Sequence, residues 1–225
     1  MTQADTLRAL LNHSDIIYTA GAYDALSAKL IESAGFNAVF TSGFAISASY
    51  LGFPDAELYT MTENLNVVRN IVNAVNIPVI ADIDTGYGNA INVMRTVKEF
   101  ENSGVAGIIL EDQIAPKRCP ICVSEAPEIL DIPTAIGKIK AAVDARRNPN
   151  FIIIARTDAS GKDAYVRAKV YIEAGADLIQ PISKSFKNYE DLYEFSQKIN
   201  YPLSIQVLSW LEQSLDESKL GVYNS

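Results

Sequence analysis

Histidine and cysteine are nearly missing from this chain, with one histidine and two cysteines in 225 residues. Two cysteines cannot build a disulfide framework. One C-x-x-C pair, Cys119 and Cys122, with His13 as the lone histidine, leaves no second half for a tetrahedral zinc site. Positive charge is also scarce: 19 Lys and Arg stand against 27 Asp and Glu, a net charge of −8. That excludes the clustered basic footprint by which proteins hold nucleic acid. No apolar run approaches the roughly 20 residues of a membrane helix. The segment Met1–Leu11 lacks a basic start followed by a long apolar stretch, so it does not read as a secretory leader. Without secretion, the sequon Asn12-His13-Ser14 is chance. The simplest location is the cytoplasm, with neither nucleic acid nor membrane as partner.

What is present is an ordinary globular balance, 48% hydrophobic and 20% charged, in a chain long enough for one core. Short β-branched or apolar runs alternate with longer stretches of helical period, the signature of βαβ units and a parallel sheet. Strands are expected at about 15–19, 37–41, 78–82, 106–110, 151–155, 177–180 and 202–207. Helices are expected at about 24–34, 63–74, 89–103, 133–147, 162–174, 188–199 and 209–218. Three helices end in one recurring unit, SAGFNAVF, NSGVAGIIL and EAGADLIQ, where a glycine stops the helix and the next strand follows at once. Nothing resembles a linker, so residues 1–225 read as one domain. The pattern predicts an α/β (β/α)8 TIM barrel, with LGVYNS at 220–225 as the opening of an eighth strand at which the barrel is cut short. The alternative is an open, doubly wound sheet, which takes its ligand at a switch point instead.

In a barrel, chemistry gathers at the C-terminal ends of the strands. Ser42-Gly43 follows the second expected strand, Asp82 and Asp84 the third, Glu111-Asp112 the fourth, and Arg156 with Asp158 the fifth. Asp82-x-Asp84 carries most information, because alternate strand residues point the same way and such a pair can share one ligand. Like charges held close need a cation or must take up a proton. An all-oxygen set suits Mg²⁺, with Mn²⁺ as an alternative. Singly, each acid reads equally as a helix cap or a solvated loop charge. Arg156 follows the apolar run FIIIA, and its planar fork suits a carboxylate or a developing enolate; a structural ion pair with Asp158 or another rim acid is the competing reading. For the cysteines, a redox pair, a single general acid on a closing loop, and inert packing all stay open.

At these residues the sequence resembles the isocitrate lyase/phosphoenolpyruvate mutase superfamily over nearly its whole length. The matching stretches are GAYDALSAKLIESAGFNAVFTSGFAISAS, LGFPD, ADIDTGYGN, LEDQIAPKRC and IIIARTDA. The resemblance implies a modified barrel, a Mg²⁺ site, a small α-oxo or 2-hydroxy acid as substrate, and a homo-oligomer, a tetramer. By motif, Asp82, Asp84 and Glu111 correspond to the metal shell and Ser42 and Gly43 to ligands of a substrate carboxylate. Arg156 corresponds to its charge partner, and Asp55 of LGFPD to an acid beside metal and substrate. The segment Lys117-Arg118-Cys119 matches the loop of the 2-methylisocitrate and dimethylmalate lyases, whose cysteine protonates the released enolate and whose basic residues bind substrate. Pro120-Ile121 replace the Gly-His of that loop, Gln180 replaces a glutamate, Phe40 replaces a tyrosine, and SIQVLSW lacks the usual Asn or Glu. The expected activity is therefore Mg²⁺-dependent carbon–carbon cleavage of a substituted malate-type acid. Oxaloacetate decarboxylation or hydrolysis, phosphonopyruvate hydrolysis, and a catalytically impaired binding or scaffold protein are the alternatives.

Overall fold

The computed structural model describes residues 1–13, 16–120, 122 and 126–207. Six parallel strands form the sheet: β1 Thr19–Ala22, β2 Ala38–Thr41, β3 Val79–Asp82, β4 Gly107–Glu111, β5 Ile152–Thr157 and β6 Leu178–Pro181. Their spatial order is β1-β2-β3-β4-β5-β6, each strand beside its predecessor in sequence. A doubly wound sheet would reverse its strand order at a switch point, and the described strands show no such reversal. The fold is α/β, and its sheet of six parallel strands curls as a half-barrel. The helix expected at 209–218 and the strand at 220–225 lie outside the described residues.

Helices α2 Ala25–Ser33, α4 Met61–Ala74, α5 Ala90–Asn102, α6 Ile132–Ala145, α7 Gly161–Glu173 and α8 Tyr189–Ile199 fall where helical period places them. Side-chain caps set all of these starts but that of α7, where Ser160 makes no capping hydrogen bond. Asp24 with Ser27 and Thr60 with Glu63 form reciprocal capping boxes, and Asp131 caps a helix with proline in its first turn. The glycine stops read from sequence are real: Gly35, Gly104 and Gly175 hold φ of +90°, +93° and +99°.

Two expectations need correction. The first strand is not at 15–19 but at Thr19–Ala22, and a helix, α1 Gln3–His13, precedes it. The seventh strand at 202–207 is reduced to one parallel bridge between Leu203 and Ile179.

Alternation along the strands divides the core in two. Val79, Ala81, Ile108, Leu110, Ile153, Ala155 and Ile179 face the helices. Ile80, Ile109, Ile152, Ile154 and Leu178 face inward and pack with Leu7 of α1. Helix α1 thus fills the inner face from below, and the polar side chains lie beyond this apolar layer.

Candidate active site

The strand period that points Ile80, Ile109, Ile154 and Leu178 inward points Asp82, Glu111, Arg156 and Gln180 the same way, two residues further on. Register completes the layer, since Glu111 pairs with Arg156 and Arg156 with Gln180 across neighbouring strands. Asp112, one residue after Glu111, faces the opposite side. There it accepts hydrogen bonds from Thr157 Oγ1 and Tyr171 Oη, both at 2.7 Å, and from the Asp158 amide at 3.0 Å.

Asp84 does not reach the site by strand alternation. The strand ends at Asp82, and Asp84 turns back with φ +51°, its amide donating to Asp82 Oδ1 at 2.9 Å. The two carboxylates still converge. A Cβ on Gly43 would lie 3.1 Å from both Asp82 Oδ2 and Asp84 Oδ1 and 2.9 Å from Tyr59 Oη, so only glycine fits there. Tyr87 Oη donates to Asp84 Oδ2 at 3.2 Å, and Asn64 Nδ2 donates to Tyr87 Oη at 2.7 Å and to the Asp82 carbonyl at 2.8 Å. Ser42 caps the short helix α3 Gly43–Ile46, its Oγ accepting from the Ala45 amide at 3.2 Å. The Ser42 amide donates to the Ala22 carbonyl, leaving the hydroxyl and the Gly43 amide for a ligand. A π-helical turn, Ser47–Leu51, follows, and Ser47 Oγ donates to the Pro54 carbonyl at 3.1 Å, fixing the segment that carries buried Asp55.

Two cations sit among these acids. Lys117 Nζ lies 3.0 Å from Asp55 Oδ1, touches Asp84 Oδ1 and is 3.9 Å from Glu111 Oε1. Arg156 divides its guanidinium between Glu111 Oε2 at 2.9 Å and Asp158 Oδ1 at 3.0 Å. Both contacts are ion pairs with buried acids, the competing structural reading of Arg156. Burial, then the neighbouring Asp84, pushes the Asp82 carboxyl up to about 6. At Glu111 burial, helped by Asp158 and Asp82, outweighs Arg156 and Lys117 and pushes the carboxyl up to about 8. Burial also raises Asp55 above the usual carboxylate range. For Lys117, burial opposes the charge, but Asp84, Glu111, Asp82 and Asp55 overcome it and hold the ammonium protonated.

A cavity of about 950 Å³ runs along the inner face, lined at the polar layer by Ser42, Gly43, Asp55, Asp82, Cys119, Arg156 and Gln180 and bounded by the apolar Phe40, Ile182, Ile80, Ile109 and Ile154. Asp84, Glu111 and Lys117 lie sealed behind it. Cys119 is buried, Cys122 is exposed, and neither is in a disulfide. Arg118 does not join the site: its side chain is 46% exposed, 3.7 Å from Glu128. Its amide, however, donates to Gln113 Oε1 at 2.8 Å, and Gln113 Nε2 donates to Asp158 Oδ2 at 3.0 Å. Gln113 so ties the Lys117–Cys119 segment to the Arg156 pair. Gln180 Nε2 donates to Ser204 Oγ at 2.9 Å. Gln113, Tyr59, Asn64 and Tyr87 are members of the site that sequence reasoning missed.

The carboxylates suit a hard divalent cation. Asp55 Oδ1, Asp84 Oδ1 and both Glu111 oxygens are buried and meet only the Lys117 and Arg156 cations, and every candidate ligand atom is oxygen. Among the described residues no three acids are already arranged around a common metal position, because Lys117 stands between them.

Residues 7–223 match the family model of phosphoenolpyruvate phosphomutase. The chain belongs to the phosphoenolpyruvate mutase/isocitrate lyase superfamily. Within it, the chain is 51% identical over 183 residues to the 2,3-dimethylmalate lyase of Eubacterium barkeri, covering 80% of this chain and 63% of that enzyme. The chain thus spans less than two thirds of such a curated relative. A phosphoenolpyruvate phosphomutase from Streptomyces platensis subsp. rosaceus superposes with a TM-score of 0.91 at 36% identity, over 99% of this chain and 78% of that one. A phosphonopyruvate hydrolase in complex with oxalate and Mg⁺⁺ superposes with a TM-score of 0.86 at 36% identity, over 100% and 78%. These superfamily relatives carry three different activities on one fold. The choice among them rests on side chains. No helix among the described residues is long and apolar enough to cross a membrane.

Proposed function

We propose that this superfamily member is a Mg²⁺-dependent carbon–carbon lyase that cleaves a substituted malate-type 2-hydroxy acid, such as 2-methylisocitrate or 2,3-dimethylmalate. The products are an α-oxo acid and a second carboxylic acid. The observation that carries the reading is Cys119: a buried thiol lining the same cavity as Asp55, Asp82 and Arg156. Asp82, Asp84 and Glu111 would hold the metal, Mg²⁺ or Mn²⁺, which supplies Lewis acidity and a template for the substrate's carboxylate and 2-oxygen.

The protein's own groups account for the remaining steps. Asp55 takes the proton of the 2-hydroxyl, for which a carboxyl raised by burial is better suited than an ordinary one. The C2–C3 bond breaks, its electron pair passing into the enolate of the departing carboxylate while C2 becomes the α-oxo carbon. Arg156 and the Gly43 amide steady the negative charge, and the Ser42 hydroxyl and Lys117 help hold substrate. The Cys119 thiol protonates C3, and its thiolate is restored by the proton held on Asp55. The balance closes without an added reductant or oxidant.

A second reading, decarboxylation or hydrolysis of oxaloacetate or phosphonopyruvate, draws on the superposition with the hydrolase and does not need Cys119. A third, a binding or scaffold role, draws on the lysine at the centre of the acids. One experiment separates them: turnover of 2-methylisocitrate, 2,3-dimethylmalate, citramalate, oxaloacetate and phosphonopyruvate with Mg²⁺. Cleavage of one of the first three is the expected result. Turnover of only the last two moves the second reading ahead, and no turnover of any by folded protein leaves the third.

The same reading extends to a homo-oligomer, a tetramer, supported by exposed apolar side chains such as Phe53, Leu58 and Ile91. Light scattering is expected to report an assembly at micromolar concentration; a stable monomer ends that proposal.

A further inference from the structure

We propose that Lys117 is a resident competitor for the divalent cation: its ammonium fills the charge site made by Asp55, Asp84 and Glu111, and metal loading expels it. The inference rests on reading Asp84 and Glu111, together with Asp82, as the metal shell, with Asp55 beside it. Three observations carry it. The ammonium contacts Asp84, lies 3.0 Å from Asp55 and is 3.9 Å from Glu111, with its side chain 2% exposed. None of Asp84, Glu111 and Lys117 lines the cavity: the ammonium and these acids are buried together behind Asp55 and Asp82, which do line it. The acids are arranged about the lysine and not about a metal position.

A divalent ion and an ammonium within about 4 Å of the same carboxylates repel each other strongly in a dry interior, so the two occupancies exclude each other. Lys117 leaves as the ammonium it already is, and no proton needs to move. Its departure has leverage, because Cys119 lies two residues further along the same segment and is itself packed into the cavity wall. Gln113 is one of the segment's anchors, through the Arg118 amide at 2.8 Å. Lys117 in with the cation out, and Lys117 out with the cation in, are then two states of one loop, and metal binding selects between them. A lysine that holds the site for 90–99% of the time weakens apparent metal affinity by about 10- to 100-fold.

The test uses two measurements. Calorimetric titration of Mg²⁺ into the protein and into Lys117→Met is expected to show about 10- to 100-fold tighter binding in the variant. Amine acetylation of the unmodified chain, followed residue by residue by mass spectrometry, is expected to find Lys117 protected without Mg²⁺ and labelled at least about tenfold faster with it. Should Lys117→Met fail to fold, the labelling experiment decides alone. If Mg²⁺ binds while Lys117 stays protected and the variant binds no tighter, the competitor is overturned and the metal site stands. If neither folded protein binds Mg²⁺, the metal site itself is overturned, and the competitor with it.

Discussion

Arg156→Lys is expected to lower turnover of whichever substrate is accepted by about 10²-fold or more, the loss typical of removing one positioned donor from a developing oxyanion. The geometry gives the reason. One guanidinium nitrogen meets Glu111 at 2.9 Å and another meets Asp158 at 3.0 Å, so the fork spans two buried carboxylates that a point charge cannot serve together. Lysine would keep one and abandon the other. A buried carboxylate left without its partner costs on the order of 3–5 kcal/mol, so some loss of stability accompanies the loss of activity. The two effects are separable. Circular dichroism melts give the stability change, and kcat per folded molecule gives the catalytic one. If the melting temperature falls while kcat per folded molecule is unchanged, Arg156 is a strut between Glu111 and Asp158 and has no part in the chemistry.

How much of this site was readable before any coordinates depended on how local its cause is. Asp82, Glu111, Arg156 and Gln180 were legible, because an apolar run ending in a polar residue has an inward parity that the sheet preserves. The glycine stops after α2, α5 and α7 were legible for the same reason, since one residue's φ ends each helix. Strand β1 was not. DIIYT is rich in strand-forming side chains and TAGA is not, yet TAGA pairs with Ala38–Thr41, because propensity yields to the partner that tertiary structure supplies. Helix α1 escaped because it buries only Ala4 and Leu7, too few for a clear apolar stripe.

The site's supporting shell was the least legible part. Asn64 holds Tyr87 and the Asp82 carbonyl from another element, and Tyr59 meets Asp84 across the Gly43 gap. None of these contacts leaves a mark in local periodicity. The D-x-D pair does converge, but not through strand alternation, since Asp84 lies past the strand in a left-handed turn. Lys117 shows the limit most clearly. The segment Lys117-Arg118-Cys119 gives no hint that its first residue turns into the acids while its second stays in solvent.

Cys119→Ser is expected to reduce carbon–carbon cleavage by roughly 10²–10⁴-fold, the range for losing a positioned general acid. Serine keeps the shape, so a cavity wall packed around residue 119 should close as before. What changes is the proton: a hydroxyl is a far weaker acid than a thiol and surrenders its hydrogen to an enolate reluctantly. Binding of Mg²⁺ should be retained, because Cys119 lies outside the set of carboxylates that would hold it. Cys122→Ser is the control. Cys122 is exposed and does not line the cavity, and it is not bonded to Cys119, so its replacement should leave turnover near that of the parent chain. A redox pair predicts the opposite, equal losses at both positions. Inert packing predicts a third pattern, in which Cys119→Ser shifts the melting temperature and leaves kcat alone. The comparison is made on the substrate that the turnover screen identifies, with kcat and melting temperature measured on the same preparations. If Cys119→Ser turns that substrate over as fast as the parent, the lyase mechanism loses its proton donor. Decarboxylation or hydrolysis, which needs no thiol, then becomes the better account of the cavity.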